Sequence, residues 1–328
     1  MLAKYLMVAC LLLAVAACAE APDNVQGNWE GTFTGGKLEG SPVRAEIVAD
    51  KRGYRANLYI GEWPGGEQAA RSMPSEAKRG KIVFSGDARL EPEMGGECKV
   101  QMNLADSEIK GNFKGKAAPG RFVMTRVEKK SPTLGQEPPD GAIVLFDGAN
   151  LDAWQPTERP WKIMPDGAVE VGKGSLRTKD ELGGGLYHVE FRTPYMPDKK
   201  GQARGNSGVF VLGRYEIQVL DSFGLEGRDN ECGGIYKLAT PRVNACLPPG
   251  EWQTYDIEVR PAEFDGQGRK TKNTIITVRH NGVLIHDNVE LGKVTGGAVS
   301  DNEAREGILF LQDHGNKVQY RNIWYKPQ

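Results

Sequence analysis

The chain has 328 residues, 42 of them basic and 43 acidic, for a net charge of −1. That length admits two domains at roughly 100–200 residues each, and the balanced charge gives no electrostatic reason to expect nucleic acid or an anionic membrane as partner. The 42 glycines and 19 prolines, with no apolar stripe of helical period over a dozen residues, predict a turn-rich, mostly β protein suited to a neutral polar ligand.

Residues 1–18 read as an export signal. Lys4 supplies the early positive charge, and the apolar run from Leu6 to Ala17 is too short to cross a bilayer as a helix. The run ends in Val15-Ala16-Ala17-Cys18, similar to the bacterial lipobox, in which the cysteine is lipidated; the alternative is a plain signal peptide cut near Ala19 or Ala21. A lipid on Cys18 would tether the protein without a transmembrane segment, in the periplasm or cell envelope. Export also bears on the cysteines. Cys232 and Cys246 flank the loop from Gly233 to Ala245, and an oxidising compartment favours a disulfide between them over a metal pair, because no further ligands are spaced for zinc. Cys98 is then left over as a buried thiol.

Residues 24–130 predict a small β accessory domain, a sandwich or barrel, from short segments at Asn28–Thr34, Val43–Ala49, Tyr54–Ile60, Lys81–Ser85, Lys99–Leu104, Ile109–Lys114 and Arg121–Val127. Trp29, Trp63, Tyr54 and Tyr59 are either core or a sugar-stacking surface. Residues 131–140, Ser-Pro-Thr-Leu-Gly-Gln-Glu-Pro-Pro-Asp, have the composition of a linker.

Residues 141–328 predict a second domain of antiparallel strands without helical partners, a β-sandwich. Tyr187, Val189 and Phe191 alternate with His188, Glu190 and Arg192. Tyr255, Ile257 and Val259 repeat the pattern, and Asn281-Gly282 suits a type I′ hairpin turn. Ile217 and Val219 alternate with Glu216 and Gln218, setting an acid and an amide on one face of a strand. Asp221 falls on the other face by strict alternation, and a bulge near Leu220 would bring it beside Glu216; the plainer reading makes Glu216 a solvated outward residue. On a strand from Gly307 to Gly315, Gln312 and His314 would project together, with His314 a usable acid or base or a surface residue. His188 can line the cleft, while His280 and His286 sit at a hairpin. No dinucleotide-binding, P-loop, metalloprotease or Ser-hydrolase pattern is present.

The motifs Leu145-Phe146-Asp147-Gly148-x-Asn150-Leu151-Asp152-x-Trp154, Asn206-Ser207-Gly208-Val209-Phe210, Glu216-Ile217-Gln218-Val219-Leu220-Asp221, Gly234-Ile235-Tyr236, Gly250-Glu251-Trp252-Gln253-Thr254-Tyr255, His280-Asn281-Gly282, and Leu311-Gln312-Asp313-His314-Gly315 followed by Tyr320-Arg321-Asn322-Ile323 resemble, in order, those of the 3-keto-disaccharide hydrolase family. The resemblance covers about Ala142 to Gln328. It implies a concanavalin A-like lectin/glucanase sandwich (jelly roll) and cleavage of glycosides already oxidised at sugar C3, by elimination or net hydrolysis, downstream of a separate glycoside 3-oxidoreductase. It further implies Glu216 and His314 as base and acid with Asp221 nearby, and Arg192, Asn206, Ser207, Gln218, Tyr236 and Gln312 as contacts to the sugar or the enolate oxygen. A divalent metal ion could serve as Lewis acid. Two other readings stay open: a retaining glucanase, weakened because Gln218 stands where that mechanism has a carboxylate, and a carbohydrate-binding protein without turnover.

Overall fold

A computed structural model describes residues 24–51, 53–115 and 118–328. The proposed export signal and Cys18 lie outside the described residues. The fold is all-β, as the composition predicts. It comprises a closed barrel followed by a two-sheet sandwich.

The barrel is formed by β1 (Gly27–Gly35), β2 (Pro42–Asp50), β3 (Gly53–Ile60), β4 (Glu67–Lys78), β5 (Lys81–Arg89), β6 (Glu97–Ala105), β7 (Glu108–Lys114) and β8 (Arg121–Val127), with β1 closing onto β8. Alternate residues point inward, and Trp29, Phe33, Ile47, Leu58, Phe84, Met102 and Phe122 fill the interior, as a small barrel requires. Trp29 is core and Tyr59 is buried with its hydroxyl on Glu46. β4 is the strand with no sequence signal: it contains no β-branched or aromatic residue, carries Pro74, and turns through a positive φ at Ser72. Its neighbours hold it, because a barrel left open at β3 and β5 would expose two edges.

The sandwich follows as β9 (Ile143–Phe146), β10 (Lys162–Ile163), β11 (Val169–Glu170), β12 (Leu176–Arg177), β13 (Gly185–Arg192), β14 (Ser207–Val211), β15 (Tyr215–Val219), β16 (Gln253–Arg260), β17 (Glu263–Phe264), β18 (Lys270–Lys272), β19 (Thr274–His280), β20 (Val283–Leu291), β21 (Phe310–Leu311) and β22 (Gln319–Pro327). The large sheet runs β10-β11-β22-β13-β16-β19-β20, with β9 also on β22; the small sheet runs β12-β21-β14-β15. Tyr187, Val189, Phe191, Tyr255, Ile257 and Val259 from the large sheet pack against Val209, Val211, Ile217, Val219 and Leu311 from the small one. The β19–β20 hairpin turns on Asn281 and Gly282, both at positive φ as a type I′ turn demands.

Within the 131–140 stretch of linker composition, residues 131–136 are clamped along the outer face of the large sheet. The hydroxyls of Ser131 and Thr254 share a hydrogen bond of 2.6 Å, Thr133 Oγ1 donates to Asp256, the Gly135 amide donates to Glu190, and the Gln136 carbonyl accepts from Asn322 and Trp324. Outward polar groups of β13, β16 and β22 are thereby satisfied by a segment whose own polarity marks it as loose. The barrel also docks on the sandwich: Asn57 Nδ2 donates to the Gly224 carbonyl at 2.8 Å, and Arg71 pairs with Glu226.

Candidate active site

Strand pairing builds the site. Phe210 pairs with Glu216 on one side and with Phe310 on the other, and Gly208 pairs with Gln218 while accepting the Gln312 amide at its carbonyl. Directly paired residues project to the same face. Because Val209, Ile217 and Leu311 face the core, the row Phe310-Phe210-Glu216 and the row Gln312-Gly208-Gln218 both line the outer face of the small sheet. Beside β15, the Gln218 amide donates to the Gly234 carbonyl and the Tyr236 amide donates to the Glu216 carbonyl. Gly234 thus extends the amide row and Tyr236 the aromatic row. This face gathers Glu216, Gln218 and Gln312 beside Tyr236 and the stacked Phe210 and Phe310 rings, whose centroids are 4.1 Å apart, while the main chain at Arg228 and Asp229 packs over Gly234.

Gly208 makes room for the acid. A Cβ at this position would lie 2.5 Å from Glu216 Oε1, so the carboxylate rests over the bare glycine. Glu216 is 3% exposed. No hydrogen bond to its carboxylate forms among the described residues, and burial alone pushes its pKa up to about 8. Its main-chain amide is fixed by Thr295 Oγ1 at 3.0 Å. A desolvated carboxyl raised toward neutral pH can both take up and release a proton there.

Around the acid stand amides with free carbonyl oxygens. Asn206 Oδ1, Gln218 Oε1 and Gln312 Oε1 are all buried without a hydrogen-bond partner. His314 lies in the turn beyond β21 and is exposed, not on a strand running to residue 315. Phe310 is two strands from Glu216, about 10 Å, and His314 is four residues further along. The imidazole and the carboxylate therefore serve different parts of a ligand. Among the described residues no group of three or more His, Cys, Asp or Glu side chains is disposed to hold a metal ion.

Several residues expected at the site are elsewhere. Ser207 faces the core, where its hydroxyl donates to the Gln312 carbonyl and shares a bond with the Tyr320 hydroxyl, both at 2.6 Å. Asp221 does not come round beside Glu216. Val219 and Leu220 both enter the core, and the buried Asp221 carboxylate is held by Arg204 Nε at 2.5 Å. Arg192 projects from the outer face of the large sheet, on the far side of the sandwich, bonded to Gln319 and Asp166 and stacked over Trp252. His188 shares that far face, buried, with Nδ1 2.6 Å from Asp256 and its ring on Trp324. Cys232 and Cys246 are free, buried thiols in hydrogen-bond contact rather than a bridge. Cys232 also meets the Tyr255 hydroxyl, which donates to the Gln218 carbonyl behind the site.

Two site residues escaped the sequence reading. Phe310 shares the alternation that singled out Gln312, and its aromatic character was the available signal. Gln202, in the turn from Gly201 to Ala203, bonds both Asn206 and Gln218, and a lone glutamine in a turn carries no pattern.

The profile of the 3-keto-alpha-glucoside-1,2-lyase-like domain matches residues 141–326. A presumed glycosyl hydrolase of Parabacteroides distasonis, known from its crystal structure, is 34% identical over 58% of this chain and 85% of its own, with a TM-score of 0.54. A second presumed glycosyl hydrolase from that organism shares 19% identity over 58% of this chain and 94% of its own, with a TM-score of 0.45. No curated protein matches the chain. With more than half of its length matched by that profile, the chain belongs to the 3-keto-alpha-glucoside-1,2-lyase-like domain family.

Proposed function

We propose that the sandwich domain cleaves glycosides bearing a ketone at C3. The ketone acidifies the C2 hydrogen, and Glu216 removes that proton. The electron pair passes into a C2–C3 enolate and then expels the C1 oxygen, which takes up a proton as it leaves. Water adding to the resulting enone gives net hydrolysis. The observation that carries this reading is the Glu216 carboxyl, unpartnered, desolvated and pushed to about 8 over Gly208. A base of that strength suits abstraction beside a carbonyl at neutral pH. Family membership and the glycosyl hydrolase name of the 34%-identical structure support a glycoside as substrate. The Glu216 carboxyl, protonated by that abstraction, is placed to hand the proton on to the leaving oxygen, because His314 lies too far along the sheet to reach the adjacent C1–O bond.

A retaining glycosidase needs a second carboxyl at about 5–5.5 Å from the first, and Asp221 is instead engaged by Arg204. A pure binding module has no use for an acid held near 8. The ketone itself must come from a separate oxidoreductase acting on the intact glycoside. The N-terminal run is proposed as an export signal with lipidation at Cys18, placing the protein in the periplasm or envelope; labelled palmitate should be incorporated and lost in Cys18→Ala.

The test is to assay the purified protein on a C3-oxidised and an unoxidised aryl glucoside, each with and without chelator. Release of the aglycone from the oxidised substrate alone is expected. Release from the plain glucoside favours the glycosidase, and binding without release favours the module.

A further inference from the structure

We infer that Gln202 is a positioning residue that sets the amides beside Glu216 to read hydroxyl groups rather than carbonyl or ether oxygens. The inference rests on the sugar-cleaving reading of the same site. Gln202 is half-buried, and its Nε2 donates to the Asn230 main-chain carbonyl at 2.7 Å. A main-chain carbonyl only accepts, so the Gln202 amide cannot turn end for end, and its Oε1 faces the site. That oxygen accepts from Asn206 Nδ2 and from Gln218 Nε2, both at 3.1 Å, while the Gln202 main-chain carbonyl accepts Asn206 Nδ2 again at 2.8 Å. Reversing either amide would set two carbonyl oxygens against each other.

With both Asn206 Nδ2 protons and one Gln218 Nε2 proton engaged by Gln202, the side-chain oxygens of Asn206 and Gln218 are turned the other way and left unpartnered, each on a residue 1% exposed. Gln312 adds a third buried, unpartnered oxygen in line with Gln218. Buried acceptors left unmatched are costly and uncommon. Three grouped beside the proposed base are accounted for by a ligand that brings hydrogen-bond donors. Sugar hydroxyls do so. A ketone or enolate oxygen does not. Of the two roles expected for these amides, sugar hydroxyls or the enolate oxygen, the oxygens of Asn206 and Gln218 suit the hydroxyls, and the ketone lies away from them.

The test uses the full chain with methyl α-glucoside oxidised at C3, together with its 4-deoxy-4-fluoro and 6-deoxy-6-fluoro analogues, which accept but do not donate. In the wild type at least one fluoro analogue should show a KM raised 10- to 100-fold over the parent. In Gln202→Leu the Asn206 and Gln218 amides are free to turn, and the penalty should fall below about threefold. The parent KM should rise about tenfold with kcat changed less, and the pH profile set by Glu216 should not move. Gln202→Glu, assayed below pH 5 where a protonated carboxyl supplies both an acceptor for the two amides and a donor to the Asn230 carbonyl, should restore discrimination. An undiminished fluoro penalty in folded Gln202→Leu overturns the positioning role while leaving the proposed function standing. If Gln202→Leu does not fold, loss of discrimination in Gln202→Glu overturns it instead. A wild type that neither binds nor cleaves the parent ketone overturns both.

Discussion

Replacing Glu216 by Gln keeps the shape of the side chain and removes its charge, so it separates the energetic cost of the acid from its packing. The folded carboxyl is raised by burial from its ordinary value of 4.5 to about 8, so the folded state holds the proton more tightly than the unfolded chain does. The wild type is therefore unpenalised at pH 4, and loses stability as pH rises from about 4.5 towards 8. At pH 7 the folded carboxyl is mostly protonated while the unfolded one is ionised, a difference of about 3 kcal/mol, rising to about 5 kcal/mol above pH 8. Glu216→Gln should accordingly be more stable than wild type by about 3 kcal/mol at pH 7 and equal to it at pH 4. For a domain of this size that is a rise in Tm of roughly 6–12 °C. Denaturant titrations at pH 4, 5.5, 7 and 8.5 read the difference, and cleavage of the C3-oxidised glucoside should fall at least 100-fold in the same variant. A gain that does not vary with pH, or a loss at pH 7, would show that the carboxylate is solvated or partnered, and the argument for it as base would go with it. Wild-type kcat/KM should rise with pH towards about 8 if the ionised form does the work.

Gly208→Ala places a methyl 2.5 Å from Glu216 Oε1; the side-chain end can swing away, so stability should fall by no more than about 2 kcal/mol, while activity drops at least tenfold as the carboxylate is displaced. Unchanged turnover in folded Gly208→Ala would mean that the carboxylate position is immaterial. Asp221→Asn strips Arg204 of its buried counter-charge and should cost about 3–5 kcal/mol in a denaturant melt; a loss under 1 kcal/mol would mean that solvent reaches the pair. Brief alkylation of the native protein should label the half-exposed Cys98 ahead of the buried Cys232 and Cys246, with all three labelled after unfolding. Mass spectrometry showing those two sites blocked until a reductant is added would show that they pair in solution.

Elements with several β-branched or aromatic residues in alternation, such as β13, β15, β16 and β19, declared themselves in the sequence because a half-buried strand needs that period. β4 did not, and pairs as short as β10 or β12 have no period to show. At the site, Glu216 and Gln218 were legible as an outward acid and amide, since parity along one strand is local information. Which sheet a strand joins is not local. Arg192 does project outward from its strand, but that strand belongs to the large sheet, so the guanidinium is on the opposite side of the molecule from Glu216. Ser207 sits one position from Gly208 and Asn206 and was grouped with them as part of one motif, although alternation turns it to the core. Asp221 depended on a bulge, and the chain instead puts Val219 and Leu220 successively inward.

The barrel grips the sandwich just where the chain leaves the strand that carries the proposed base. Asn57 and Arg71 hold Gly224 and Glu226, only a few residues past Gln218 and next to Asp221. The N-terminal unit thus bears on the loop that leaves β15, outside the face that carries Glu216. A sandwich cut free of the barrel would keep Glu216 and the amides around it yet lose these two contacts to the loop that follows their strand.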